Sequence, residues 1–184
     1  MRTDEEMMWK TLSTEYVLID PWMTVRRDRM LLPSGEILDP CWALEYPDWV
    51  SVIAITTDGR FVFERQYRHG LHIVEYEIPA GVTEEGETPL EAARRELAEE
   101  TGYGGGQWEP WMVTSANPSV MNNLTHVFLA RGVEPLTDRH LDRTEDIEVY
   151  LLSEQDVLDL LASDSIKQSL MAAPLWKYFA SRGR

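Results

Sequence analysis

The spacing of apolar and polar residues changes several times along this chain, and each change marks an element. Glu15–Ile19, Met23–Leu32 and Ile37–Tyr46 are short β-prone runs, with a Pro33-Ser34-Gly35 turn between the second and third. They predict a small antiparallel meander over residues 1–47, closed by Pro47 and Asp48. Trp49–Thr56 is an apolar run of buried-strand length, Thr57-Asp58-Gly59 a hairpin turn, and Arg60–Tyr67 the returning strand. Ile73–Ile78 follows and ends at Pro79-Ala80-Gly81. The period then becomes helical: at about 100° per residue, Leu90, Ala93, Leu97 and Thr101 share one face. Thr88 is a good N-cap, Pro89 suits the first helical position, Glu91 completes a capping box, and Gly102 is a left-handed stop. Gly104-Gly105-Gly106 reads as a flexible connection. Further strands are predicted near Trp108–Val113, His126–Arg131 and Ile147–Leu152. Ser153 with Asp156 caps a helix through about Leu161, and a last helix is predicted from about Ser165 to Phe179. Strands with helices before and after predict an α/β (α+β) fold, a mixed sheet sandwiched by helices over residues 48–184.

The composition narrows the class. A length of 184 residues fits one domain plus an extension. Its single Cys41 excludes an intramolecular disulfide and a cysteine metal site. No apolar run approaches the ~18 residues of a membrane span, and the first residues lack the pattern of a secretory signal. Together these predict a cytoplasmic protein with no membrane partner. A net charge of −15 argues against general nucleic-acid binding, which depends on basic surface. It also repels a free diphosphate, so such a substrate needs a metal and a few placed arginines. The triple glycine follows a helix and lacks a Lys-Ser/Thr tail, so it is not a phosphate-binding P-loop.

The candidate chemistry lies in residues 81–103. Glu87, Glu91, Glu96, Glu99 and Glu100 crowd one loop and helix, with Arg94 and Arg95 among them. Glu96 and Glu100 are i,i+4 neighbours on the edge of the apolar face, and Glu99 stands three residues from Glu96. Oxygen donors of this kind suit Mg²⁺ or Mn²⁺. From spacing alone, a solvated acidic helix is an equal reading.

The full pattern is more specific. Gly81, Glu87, Arg95-Glu96-Leu97, Glu99-Glu100 and Gly102, with their intervals, resemble the Nudix box of the Nudix hydrolases, with Tyr103 standing where an aliphatic residue is usual. The resemblance implies the Nudix α/β/α sandwich and metal-dependent hydrolysis of a nucleoside diphosphate linked to another moiety. By position it assigns Glu96, Glu99 and Glu100 to the metal, with the Ala80 carbonyl as a further ligand. It gives Glu87 and Arg95 a structural salt bridge, and makes Gly81 and Gly102 structural. Arg65-Gln66-Tyr67-Arg68, the Pro79-Ala80-Gly81 entry to the box and Pro118 resemble the branch that acts on ADP-ribose and related nucleoside diphosphate sugars.

That branch implies a small nucleotide-sugar substrate and a homodimer, with dimerisation and base binding in residues 1–47. Arg68 is the candidate phosphate ligand, against an ion pair with Glu75 or Glu77, and Arg65 is a weaker one. Glu145, on the loop before the strand at Ile147, is the candidate general base, with Glu100 or Glu99 as rivals and Glu148 as a competitor. Trp22, Trp42 and Tyr46 are candidate platforms for the base, against purely structural roles. A GDP-mannose or other nucleotide-sugar pyrophosphatase and a non-catalytic nucleotide sensor are the alternatives. An isoprenoid isomerase is disfavoured because Cys41 lies in the extension.

Overall fold

The computed structural model describes residues 1–21 and 23–182. They form two compact units: Met1–Pro47 with Asn117–Asn123, and Asp48–Ala116 with Leu124–Arg184.

The first unit opens with α1 (Asp4–Met7), a single turn capped reciprocally by Thr3 and Glu6. An antiparallel sheet follows, β1 (Lys10–Asp20), β2 (Met23–Leu31) and β3 (Ile37–Glu45), in that spatial order. Its buried polar group, Asp28, accepts hydrogen bonds from Thr14 Oγ1 at 2.7 Å and Arg26 Nε at 3.0 Å. Leu12, Val17, Ile19, Ile37 and Trp42 stand exposed on β1 and β3. The segment 117–123 is tied to the end of β3 by Leu44 N–H donating to the Val120 carbonyl at 2.6 Å.

The second unit is built on β4 (Trp49–Thr56), β5 (Phe61–Arg68), β6 (Ile73–Glu77), β7 (Ala80–Val82), α2 (Pro89–Thr101), β8 (Tyr103–Gly104), β9 (Gln107–Thr114), β10 (Thr125–Pro135), β11 (Glu148–Leu152), α3 (Glu154–Ala162) and α4 (Ser169–Arg182). The sheet runs β11-β5-β4-β10-β8, with β6 on β5, β7 on β4 and β9 on β10. Only β4 and β10 pair in parallel among its described ladders.

Both faces of the sheet are covered, which is why β4 is apolar at nearly every position. Successive side chains of a strand point to opposite faces. Val50, Val52 and Ala54 therefore pack with Ala92, Ala93 and Leu97 of α2. Ile53 and Ile55 join Phe61, Phe63, Leu129, Val157, Leu161 and Leu175 under α3 and α4.

Two local expectations are corrected. The last helix begins at Ser169, not Ser165. Residues 165–168 are held out of helix by a tertiary contact, the Lys167 N–H donating to Glu75 Oε2 at 2.7 Å. The glycine run is not wholly a free connection: Gly104 pairs with Glu134 in the β8–β10 ladder.

The sheet also opens where chemistry is expected. β4 and β5 pair only at Ala54–Val62 and Ile55–Phe61. Beyond that point β4 pairs with β7 and β5 pairs with β6. The connection through Pro79 and Ala80 fills the split, with Val52 N–H bonded to the Pro79 carbonyl at 2.9 Å.

Candidate active site

Helix α2 brings its acidic edge to this split. Thr88 and Glu91 cap each other's backbone at its start, and Gly102, at φ 77°, ends it in the left-handed region that side chains avoid. With Ala92, Ala93 and Leu97 fixed on β4, Glu96 and Glu100 face β7 and are only 9% and 4% exposed. The Ala80 N–H donates to Glu100 Oε2 at 3.1 Å. At Gly81 an added Cβ would overlap the Glu96 carboxylate, so this strand must pass without a side chain for the carboxylate to lie against it.

Arg95 organises the loop before the helix. Its Nε and one terminal nitrogen bond the two Glu87 oxygens at 2.8 and 2.9 Å, and that nitrogen also reaches the Val82 carbonyl at 3.0 Å. Its other terminal nitrogen bonds Glu96 Oε1 at 2.9 Å and Glu99 Oε2 at 3.1 Å. The Arg95 guanidinium, with help from the Glu84 N–H, pulls the Glu87 carboxyl down to about 2.

Behind Glu100 lies a group that sequence reasoning did not single out. Glu64 of β5 is 0% exposed, and neither carboxylate oxygen has a hydrogen-bond partner. Its cross-strand neighbour Glu77 is answered: Arg68 lays its fork on it, with Nε to Oε1 at 2.7 Å, and Gln66 Nε2 reaches Oε2 at 3.4 Å. Burial raises the pKa of Glu64, Glu100 and Glu96, and neighbouring carboxylates add to it. Glu64 and Glu100 perturb each other directly, and the half-buried Glu145 pushes on both Glu64 and Glu96. The signal for Glu64 was faint but present. It continues the Phe61-Val62-Phe63 run of a strand buried on both faces, where an acidic residue has nowhere to reach water.

The structure thus brings Glu96, Glu99, Glu100, Ala80, Gly81, Glu87 and Arg95 together along one edge of α2, with Arg68 and Glu145 beside them. Glu145 sits on a turn, its Oε2 accepting from the Asp142 N–H at 2.8 Å. Arg68 lines a cleft of about 290 Å³ together with Ser51, Ala80, Gly81, Thr125, Gln168 and Met171. The hydroxyls of Ser51 and Thr125 are buried there without partners. Arg65 is not brought to the cluster: it stacks over Tyr76, 5.7 Å from the ring centroid. Trp42, Tyr46 and Pro118 belong to the first unit, and Trp22 lies outside the described residues.

As the side chains stand, no three His, Cys, Asp or Glu groups among the described residues converge on one point. Glu96 and Glu99 are turned onto Arg95, and the Glu99 side chain is 42% exposed. The donor set nevertheless fits a hard divalent cation. It is all oxygen, and it crowds buried carboxyl groups that resist ionising together unless a cation joins them, the Glu64 carboxyl lying against that of Glu100.

The NUDIX domain family model matches residues 46–172, more than half of the chain. The chain is a Nudix hydrolase. A second model, the nucleoside diphosphate sugar hydrolase N-terminal domain, matches residues 9–40 of this Nudix hydrolase. It is 32% identical over 158 residues, 85% of each chain, to the ADP-ribose pyrophosphatase of Bacillus subtilis (strain 168). Over 162 residues it is 33% identical to the methanol dehydrogenase activator of Bacillus methanolicus, covering 87% of this chain and 86% of that one. The crystal structure of an ADP compounds hydrolase shares the fold with a TM-score of 0.78 at 21% identity, over 96% of each chain. No described helix is long and apolar enough to cross a membrane.

Proposed function

We propose that this Nudix hydrolase cleaves the diphosphate bond of ADP-ribose, or of a closely similar nucleoside diphosphate sugar, in a Mg²⁺- or Mn²⁺-dependent reaction. ADP-ribose gives AMP and ribose 5-phosphate. The observation that carries this reading is the under-neutralised carboxylate cluster of α2 beside the cleft that Arg68 lines. The similarity to an ADP-ribose pyrophosphatase along 85% of the chain supports the choice of substrate.

Glu96, Glu99 and Glu100 hold the cation, with the Ala80 carbonyl alongside. When bound, the cation neutralises the diphosphate and acidifies the attacking water. Arg68 presents a guanidinium whose plane is set by Glu77 and whose remaining edge faces the substrate phosphate. Glu145 accepts the proton of the water. Its placement on a turn beside the cluster, outside the set that holds the cation, supports this role over Glu99 and Glu100, which belong to that set. The exposed ring of Trp42 on β3 is a candidate platform for the base, and the exposed apolar side chains of β1 and β3 join two copies in a homodimer. The protein acts in the cytoplasm.

The test is a panel of nucleoside diphosphate sugars incubated with Mg²⁺ or Mn²⁺, with products resolved by chromatography. ADP-ribose turnover to AMP and ribose 5-phosphate is expected, and Glu100→Gln lowers it by at least about 100-fold, the scale of losing a charge-stabilising group. Absence of turnover on every sugar nucleotide, or a Glu100→Gln protein with wild-type rate, refutes the reading.

A further inference from the structure

The buried carboxylates of the second unit can be accounted for one by one. Glu77 is paired with Arg68, Glu75 accepts the Lys167 N–H, Glu96 is bonded to Arg95, and Glu100 accepts the Ala80 N–H. Glu64 is different. It is fully enclosed, both of its oxygens lack a partner, and its side chain lies with Glu100 under α2. Desolvating a carboxylate without a partner carries a steep cost, and an aliphatic residue at this place would pack on its cross-strand neighbour Val149 instead. Stability therefore does not explain Glu64. A species held between Glu64 and Glu100 does, either a cation or a shared proton.

We propose that Glu64 is a further ligand of the divalent cation, reaching it from the sheet while Glu96, Glu99 and Glu100 reach it from the helix. The inference rests on the metal dependence proposed above. Its physical content is rigidity. β5 is hydrogen-bonded on one side by β11, opposite Glu64 at Val149, and on the other by β6, opposite Glu64 at Glu77. A carboxylate on such a strand is fixed before the cation arrives, whereas Glu96 must first leave Arg95. The strand ligand accordingly sets the position of the cation against the Arg68 cleft. The competing account is that Glu64 and Glu100 share a proton with no cation between them.

Mn²⁺ binding, followed by electron paramagnetic resonance of the free ion and by calorimetry, separates the two accounts without any turnover measurement. The proteins are wild type, Glu64→Gln, Glu64→Asp, Glu100→Gln and the exposed control Glu36→Gln. Wild type and Glu36→Gln should bind alike. Glu64→Gln should raise the Mn²⁺ Kd by about tenfold or more, the scale on which metal sites respond to lost supporting groups. Its Tm in EDTA should equal or exceed that of wild type, while the rise in Tm on adding Mn²⁺ shrinks. Glu64→Asp keeps the charge but withdraws it by one methylene, and should also weaken binding. A Glu64→Gln protein with wild-type Kd beside a Glu100→Gln protein that has lost binding would overturn the proposal in favour of the shared proton. Absence of Mn²⁺ binding by the wild type would instead overturn the metal-dependent reading from which it starts.

Discussion

Substituting alanine at Gly81 separates the position of the cluster from the stability of the fold. The new Cβ points at Glu96, and even the farther carboxylate oxygen would lie 2.5 Å from it, against 3.4 Å or more for ordinary contact. The carboxylate must therefore retreat by roughly 1 Å, and misplacements of about this size at a reacting centre cost on the order of 100-fold in rate. What gives way is the end of a flexible side chain, with no backbone atom among the nearest contacts, and no positive φ is recorded at Gly81. The unfolded chain loses freedom in a Gly→Ala change, worth about 0.4–1 kcal/mol in favour of the fold. Against it stand an altered Glu96 rotamer and a weakened Arg95–Glu96 contact of similar size. Stability should thus stay within about 1 kcal/mol of wild type while kcat/KM on ADP-ribose with Mg²⁺ falls about 100-fold, equivalent to about 2.7 kcal/mol. Urea unfolding and steady-state kinetics on the same preparation read both quantities. Wild-type kcat/KM in Gly81→Ala would show that the position of Glu96 is irrelevant to the reaction. A collapse in stability would show that the collision is with rigid scaffold.

Other outcomes follow from the same contacts. Leu97→Ala empties a fully buried position between α2 and β4 and should cost about 2–5 kcal/mol in urea unfolding; a loss below about 1 kcal/mol would mean that the helix is not seated as described. Glu87 has a depressed folded pKa of about 2, so its contribution is present above its ordinary range near 4.5 and fades as pH falls toward 2. Glu87→Gln should therefore flatten part of the decline of Tm between pH 4.5 and 2 seen in wild type, and superimposable curves would refute the Arg95 bridge. Arg68→Lys replaces a fork held by Glu77 with a point charge; kcat/KM should fall by about 10–100-fold, the worth of a charged hydrogen bond, with the fall absent if Arg68 only braces Glu77.

What could be read in advance divides along local and tertiary lines. The start and stop of α2 were legible because Thr88, Pro89, Glu91 and Gly102 act within a few residues of one another. The start of α4 was not, because the contact that keeps residues 165–168 out of helix comes from Glu75, far away in sequence. Tyr103–Gly104 pairs with a strand whose length depends on its neighbours, so the glycine run looked looser than it is. The single turn at Asp4–Met7 carries a Thr3–Glu6 capping box and was readable, yet too short to stand out. In the site, the carboxylates of α2 were visible by spacing. Glu64 was hidden because alternation along a strand tells which side a residue faces and says nothing of what covers that side. Arg65 and Arg68 look equivalent in sequence, but they stand three positions apart on one strand and so point to opposite faces, Arg65 over Tyr76 and Arg68 toward Glu77.

The seven residues Asn117–Asn123 group with the first unit although the second encloses them in sequence. A gene shortened to begin after Pro47 would therefore still encode a fragment of the part it meant to discard. Leu44, the donor to the Val120 carbonyl, would be gone, along with the Tyr46 N–H that donates to Asn122 Oδ1 at 3.2 Å. Any transplant of either unit into another scaffold has to cut at three places, after Pro47, after Ala116 and after Asn123, and rejoin the ends. Simple end-to-end fusion therefore cannot carry either unit whole.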